Sequence, residues 1–120
     1  MVIHQYTQNW ETYKREIVVS DEGSVFVDLY QQPIYDINDP VKCIIWGLFV
    51  EKTFRNKGVA KKLIQYAENI IKQSGESLAA VICDGSTPIW VWEWYKKSGY
   101  EFCKHLNDAD TLLIKKIMID

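Results

Sequence analysis

The sequence predicts a mixed α/β (α+β) domain, one mixed β-sheet with helices on its faces. Three observations carry this. Two nearly all-apolar runs, Lys42 to Val50 and Leu78 to Cys83, read as strands buried on both faces. Between them, Ala60, Leu63, Ile64, Ala67, Ile70 and Ile71 recur at helical spacing from Gly58 to Gln73. Strand, crossover helix and strand then form a βαβ unit, parallel and right-handed.

The other elements follow in order. Residues 1–6 read as a short edge strand, and Asn9 to Arg15 as a helix with Asn9 as its N-cap. Ser20-Asp21-Glu22-Gly23 is a turn. Ser24 to Tyr30 is rich in β-formers and reads as a strand, and Pro33 to Pro40 is a loop. Gly47 marks a bulge or a close approach within its strand. Lys61, Lys62, Gln65, Glu68, Asn69 and Lys72 give the long helix its polar face, and Gly75 ends it. Asp84-Gly85-Ser86-Thr87 leads into a short helix, Ile89 to Lys97, stopped by Ser98-Gly99. Pro88 falls at an early helical position, where its missing N–H costs nothing. Tyr100 to Leu106 and Leu112 to Ile119 are strands joined by a hairpin at Asn107 to Asp110.

The chain of 120 residues is one domain's worth, and its 48 % apolar and 25 % charged residues are ordinary globular composition. A formal net charge of −2 argues against a general nucleic-acid binder, which usually carries a basic excess. No apolar run approaches the roughly 18 residues of a membrane span. Met1 to Tyr6 lacks the basic start and apolar stretch of a signal peptide, so the expected compartment is the cytoplasm. Cys43, Cys83 and Cys103 form no CxxC pair and read as small buried hydrophobes. His4 and His105 lie at opposite ends of the chain and HExxH is absent, so no metal is expected.

The informative segment runs from Val50 to Ala60: a strand ends, a short loop turns, and a helix begins at a glycine. Helix N-termini offer unpaired N–H groups and partial positive charge, and a glycine there admits an anion to the backbone. Arg55, Lys57, Lys61 and Lys62 add four positive charges in eight residues with no acid among them. The segment predicts a site for a multiply charged phosphate ligand. GxxxxGK[ST] and GxGxxG are both absent, which excludes a nucleotide-hydrolysing P-loop and the dinucleotide fingerprint.

What remains is Arg55-x-x-Gly58-x-Ala60. This resembles the coenzyme A loop of the Gcn5-related N-acetyltransferase (GNAT) family, Arg/Gln-x-x-Gly-x-Gly/Ala. Further on, Trp94-Tyr95-Lys96-Lys97-Ser98-Gly99-Tyr100 resembles that family's second signature, a Tyr four residues before Gly-Phe/Tyr. The resemblance covers roughly residues 40–119. It implies a sheet splayed between the 42–50 and 78–83 strands, with acetyl-coenzyme A in the opening. Its pyrophosphate would sit on the backbone of Arg55, Asn56, Lys57, Gly58, Val59 and Ala60. Its pantetheine arm would pair with Leu48, Phe49 and Val50, where a bulge at Gly47 could aim an N–H at the thioester oxygen. Tyr95 would protonate the leaving thiolate, uphill by ~2 kcal/mol for an unperturbed phenol.

The resemblance thus implies a small N-acetyltransferase transferring acetyl to a primary amine by direct attack, without metal. The acceptor is open between a small amine and a peptide or protein amine. The family also often forms dimers. Two departures stand out. The Lys42 to Gly47 strand holds no carboxylate, leaving Asp84, Glu93 and Glu51 as candidate bases. Pro88 stands where the family often has an Asn, so Ser86 or Thr87 is the substitute. These departures keep a non-catalytic acyl-coenzyme A binder in play. The Trp90 to Tyr95 run, apolar on nearly every side, keeps an aromatic interaction surface in play, with Trp90 and Trp94 on one face.

Overall fold

A computed structural model describes residues 1–35 and 40–117. Seven strands form one sheet in the order β1-β2-β3-β4-β5-β7-β6. They are β1 His4–Asn9, β2 Tyr13–Val19, β3 Gly23–Tyr30, β4 Cys43–Val50, β5 Leu78–Cys83, β6 Glu101–His105 and β7 Thr111–Lys116. Helix α1 (Val59–Gln73) crosses from β4 to β5, and α2 (Ile89–Lys97) leads from β5 to β6. All neighbours pair antiparallel except β4 and β5, which are parallel. The predicted mixed sheet with its βαβ unit is present.

One element differs in kind. Asn9 to Arg15 is not a helix: β1 ends at Asn9, the chain turns at Trp10 to Thr12, and β2 begins at Tyr13. The Trp10 N–H donates to the Tyr13 carbonyl at 2.9 Å and closes the turn. Read with its continuation, Tyr13 to Val19 alternates faces, and pairing on both edges overrides the helical signal of a short polar stretch. Two smaller differences concern strand ends. Only Cys43 to Ile45 of the 42–50 run is buried, whereas Trp46 and Phe49 are exposed. The last strand ends at Lys116. Positions 36–39 of the expected loop, and Met118 and Ile119 of the expected strand, lie outside the described residues.

The two faces of the sheet differ. On the near face, Val18, Val25, Val27, Leu29, Cys43 and Ile45 pack against the apolar stripe of α1, joined by Ala79, Val81, Cys83 and Tyr95. Each fully buried aliphatic side chain there stabilises by roughly 1.5–3 kcal/mol. On the far face the register lines up Arg15, Asp28 and Ile44 across β2, β3 and β4. Beside them the segment after β3 folds back, with Ile34, Tyr35 and Val41 over Ile44, Ala80 and Leu112. The Ile34 N–H donates to the Val41 carbonyl at 2.8 Å, which holds this flap.

Candidate active site

The site is built where the sheet opens. The recorded register between β4 and β5 is the single pair Ile44↔Ala80. Beyond it the strands diverge, and the β4 edge from Trp46 to Leu48 faces a cleft of about 560 Å3. One wall of the cleft is Ile44 to Leu48 of β4; the other is Ile82 and Cys83 of β5 with Thr87, Val91 and Tyr95.

Gly47 shapes the β4 wall. Its φ of 65° lies in the left-handed region that favours glycine. A Cβ there would stand 2.6 Å from Phe26 Cδ2. Between the pairs Phe26↔Trp46 and Ser24↔Phe49, β4 spends two residues, Gly47 and Leu48, against the single Val25. That is the predicted bulge, and it turns the backbone at Leu48 out of the regular ladder. Leu48 and Val50 are half-buried, and the Phe49 ring is exposed.

Past β4 the chain makes a single 3-10 turn, Lys52–Phe54, and reaches α1 through Asn56 and Gly58, both at positive φ. Gly58 is the N-cap, and a Cβ built there meets nothing within 4 Å. So glycine is required by its φ of 79° and not by neighbouring protein atoms, and the space before it is open. The Arg55 N–H is taken by the Lys52 carbonyl at 3.4 Å, and the next to bond back is the Lys62 N–H, to the Gly58 carbonyl at 3.2 Å, so the amides of residues 56–61 remain available to an anion. The first turn of α1 contains no acid. Arg55, Asn56, Lys57 and Gly58 are exposed; Val59 is buried in the core by its side chain, and Ala60 is half-buried. Arg55 is partly committed, with Nε donating to the Val50 carbonyl at 3.1 Å. Its remaining guanidinium faces solvent beside the Phe49 ring.

Tyr95 forms the opposite wall. The ring is 9 % exposed, packed edge-on against Trp94 and Tyr100. No described residue hydrogen-bonds its hydroxyl, and among the described residues no buried side-chain polar atom lacks a partner. The oxygen therefore opens on the cleft that the residue lines. Burial, with a smaller contribution from the nearby Cys83 thiol, pushes the phenol up to about 12. Cys43 and Cys83 are buried as expected, and their thiols are likewise raised by burial.

The candidate carboxylates separate clearly. Asp84 closes the turn before α2: Oδ1 accepts from the Ser86 N–H at 2.8 Å, the Ser86 hydroxyl at 2.6 Å and the Thr87 N–H at 3.1 Å. Those hydrogen bonds lower its pKa, and neither it, Glu93 nor Glu51 lines the cleft. Thr87 does, and Ser86 does not. The residue sequence reasoning missed is Asp28, the one carboxylate among the described residues that lines the cleft. It is 6 % exposed and held bidentately by Arg15, Nε to Oδ1 at 2.7 Å and Nη2 to Oδ2 at 3.2 Å. With Arg15 read as helical, nothing placed it across from Asp28. The expected Trp90–Trp94 face divides: Trp90 is 68 % exposed, while Trp94 packs on the core. Val91 and Tyr95 are the α2 residues that line the cleft. Among the described residues, no group of His, Cys, Asp and Glu is placed to hold a metal.

A sheet splayed beside a bulged strand, with an anion-receptive helix start below it, defines an acyl-coenzyme A N-acyltransferase-like fold. The comparisons agree. The family model for the GNAT acetyltransferase domain matches residues 11–102. The chain belongs to the GNAT acetyltransferase family, and its class is acyltransferase. No curated protein matches it by sequence. Solved structures share the fold at low identity. An acetyltransferase from Desulfovibrio desulfuricans assigned to the GNAT family superposes with a TM-score of 0.70 at 10 % identity, over 89 % of this chain and 71 % of that one. A GNAT acetyltransferase from Elizabethkingia anophelis with acetyl-CoA bound gives 0.67 at 13 % identity, over 97 % of each chain. The PaiA N-acetyltransferase of Thermoplasma acidophilum, in complex with coenzyme A, gives 0.60 at 17 %, over 88 % of this chain and 61 % of that one.

Proposed function

We propose that this protein transfers an acetyl group from acetyl-coenzyme A to a primary amine, by direct attack of the amine on the thioester. The observation that carries the reading is convergence on one cleft. The Gly47–Leu48 bulge and the buried ring of Tyr95 line the same cleft, and β4 runs on from that bulge to the loop that opens at Gly58. In this reading Arg55, Asn56, Lys57, Gly58, Val59 and Ala60 take the pyrophosphate, chiefly through backbone N–H groups. Leu48, Phe49 and Val50 take the pantetheine arm, as a partner strand would.

The Leu48 region supplies an N–H to the oxygen that gains charge as the carbonyl carbon becomes tetrahedral. Tyr95 hydrogen-bonds the departing sulfur. A phenol at about 12 is a weaker acid than an unperturbed one. Full transfer to a thiolate of pKa near 8.5 is uphill by about 5 kcal/mol, so Tyr95 works as a neutral hydrogen-bond donor and solvent completes the protonation. The amine must attack uncharged. At pH 7 an alkylamine is neutral in about one molecule in 2,500, a deficit of ~4.6 kcal/mol. The domain, residues 1–120, needs only acetyl-coenzyme A and the amine; the cytoplasm is its proposed compartment. No helix among the described residues is long and apolar enough to cross a membrane.

The test is calorimetric titration of the protein with acetyl-coenzyme A, with dephospho-coenzyme A and ATP as controls. Gly58→Glu places bulk and negative charge in the open space before α1. It should weaken binding by about 100-fold or more, whereas Gly58→Ala, which carries the same strain at positive φ and the same small drop in thermal midpoint, should keep most of the affinity. Absence of binding by folded wild-type protein at millimolar ligand would sink the proposal. Binding without turnover of any amine would leave a non-catalytic acyl-coenzyme A carrier.

A further inference from the structure

The acceptor end of the cleft holds an arrangement that the coenzyme does not use. Asp28, Tyr30, Ile34, Tyr35, Ile44 and Trp46 surround it. Arg15 is fixed behind Asp28 by more than its two hydrogen bonds. Its guanidinium carbon lies 4.5 Å from the Trp46 ring centroid, 5.0 Å from that of Trp10 and 5.8 Å from that of Tyr13. Trp10 and Tyr13 stack at 4.9 Å, as do Tyr13 and Tyr30, so the cation sits in a continuous aromatic brace. Such cation–π and bidentate contacts orient both charged groups.

We propose that Asp28 is the acceptor-binding residue, accepting an N–H of the incoming amine, and that the acceptor is a monoamine on an apolar, uncharged body. Arg15 is the positioning residue. The inference rests on the acetyltransferase reading above. Each carboxylate oxygen accepts one hydrogen bond from Arg15, which leaves each with a free lone pair. A carboxylate alone would hold the amine as its cation and remove it from reaction. Paired to Arg15, Asp28 presents lone pairs with the local charge cancelled, so it can orient a neutral amine without recharging it. The remaining titratable groups around it, among the described residues, are Tyr13 on β2, Tyr30 on its own strand, Tyr35 in the flap with Asp110 acting on it from the turn before β7, and Cys83 and Tyr95 across the cleft. Asp110 does not line the cleft, and none of the groups that do supplies a second cation or anion at neutral pH. The walls of Ile34, Ile44 and Trp46 match an alkyl or aralkyl body and offer nothing to a second ammonium or a carboxylate.

The experiment has two arms on the full chain. In the first, wild type acetylates benzylamine, 1,5-diaminopentane and 6-aminohexanoate, compared per unit of free base. The expected result is a kcat/KM for benzylamine at least about tenfold above the others. A diamine or amino acid used equally well overturns the acceptor assignment. In the second arm, Asp28→Asn should raise the KM for benzylamine about 10- to 100-fold while acetyl-coenzyme A affinity stays within about twofold. Arg15→Gln removes the positive charge along with the fork. It should shift the kcat/KM pH profile toward higher pH, because the uncompensated carboxylate then favours the ammonium. A folded, coenzyme-binding Asp28→Asn with unchanged KM overturns the inference and leaves the acetyltransferase reading standing. Wild type that fails to bind acetyl-coenzyme A overturns both.

Discussion

The two halves of β4 are alike in sequence and opposite in fate. Cys43, Ile44 and Ile45 are buried, with β3 on one side and β5 on the other. Trp46 to Val50 is as apolar, yet Trp46 and Phe49 are exposed and the strand has no partner on its β5 side. A continuous apolar run therefore does not by itself mean a strand covered on both faces. In the first half apolarity answers to the core; in the second it is divided, with Leu48 and Val50 packed on the core's edge, Trp46 lining the cleft and Phe49 exposed.

The contrast can be broken at its structural end first. Ile45→Ala removes a side chain that is 1 % exposed between β4 and α1. It should cost about 2–5 kcal/mol in chemical denaturation, a loss far larger than any change in acetyl-coenzyme A affinity of the folded fraction. Tyr95→Phe tests the wall facing the second half. The ring packing survives, so kcat should fall about 10- to 100-fold with coenzyme affinity unaltered. An equal loss in stability would return Tyr95 to the core.

The core side of this aromatic pair also has a pH signature. Burial raises both Tyr95 and Tyr100, and Tyr100 further through the charge of Glu68 and its 2.8 Å hydrogen bond to that carboxylate. Above about pH 10 the unfolded chain releases these protons while the native protein keeps them, so stability falls as pH rises. The slope should be about 1.4 kcal/mol per pH unit for each tyrosine, and Tyr100→Phe should flatten it by one such increment. The smallest effect belongs to the open half of β4. Phe49→Ala, at a ring 48 % exposed, should leave stability within about 0.5 kcal/mol while weakening coenzyme binding several-fold. Equal stability losses for Ile45→Ala and Phe49→Ala would erase the distinction between the halves.

The same contrast explains what could be read from the chain. The α1 stripe, the β5 run and the Gly58 entry were legible because periodicity and glycine chemistry are local. The bulge at Gly47 was legible too, since a lone glycine in an apolar strand has few other reasons to be there. Asp28 was not. Its importance depends on Arg15 lying directly across a strand pair, and that pairing is set by neighbours more than ten positions away. Asn9 to Arg15 offers a plausible helix cap and no alternation until Ile17 and Val18 are included. Residues whose roles are fixed by long-range register stay hidden until the register is known.

One feature of the sheet reaches beyond chemistry. The blocks β1–β4 and β5–β7 meet in register at one residue pair, with α1 lying across the join. On the proposed function, a coenzyme lodged in the opening touches both blocks and resists their parting. At a hundred times its dissociation constant, such a ligand adds about 2.7 kcal/mol to the folded state. Amide exchange in β5 should then slow with loading, while the exposed edge strand β1 exchanges as before. Coenzyme supply would thus govern how long each folded molecule survives, as well as how fast it turns over.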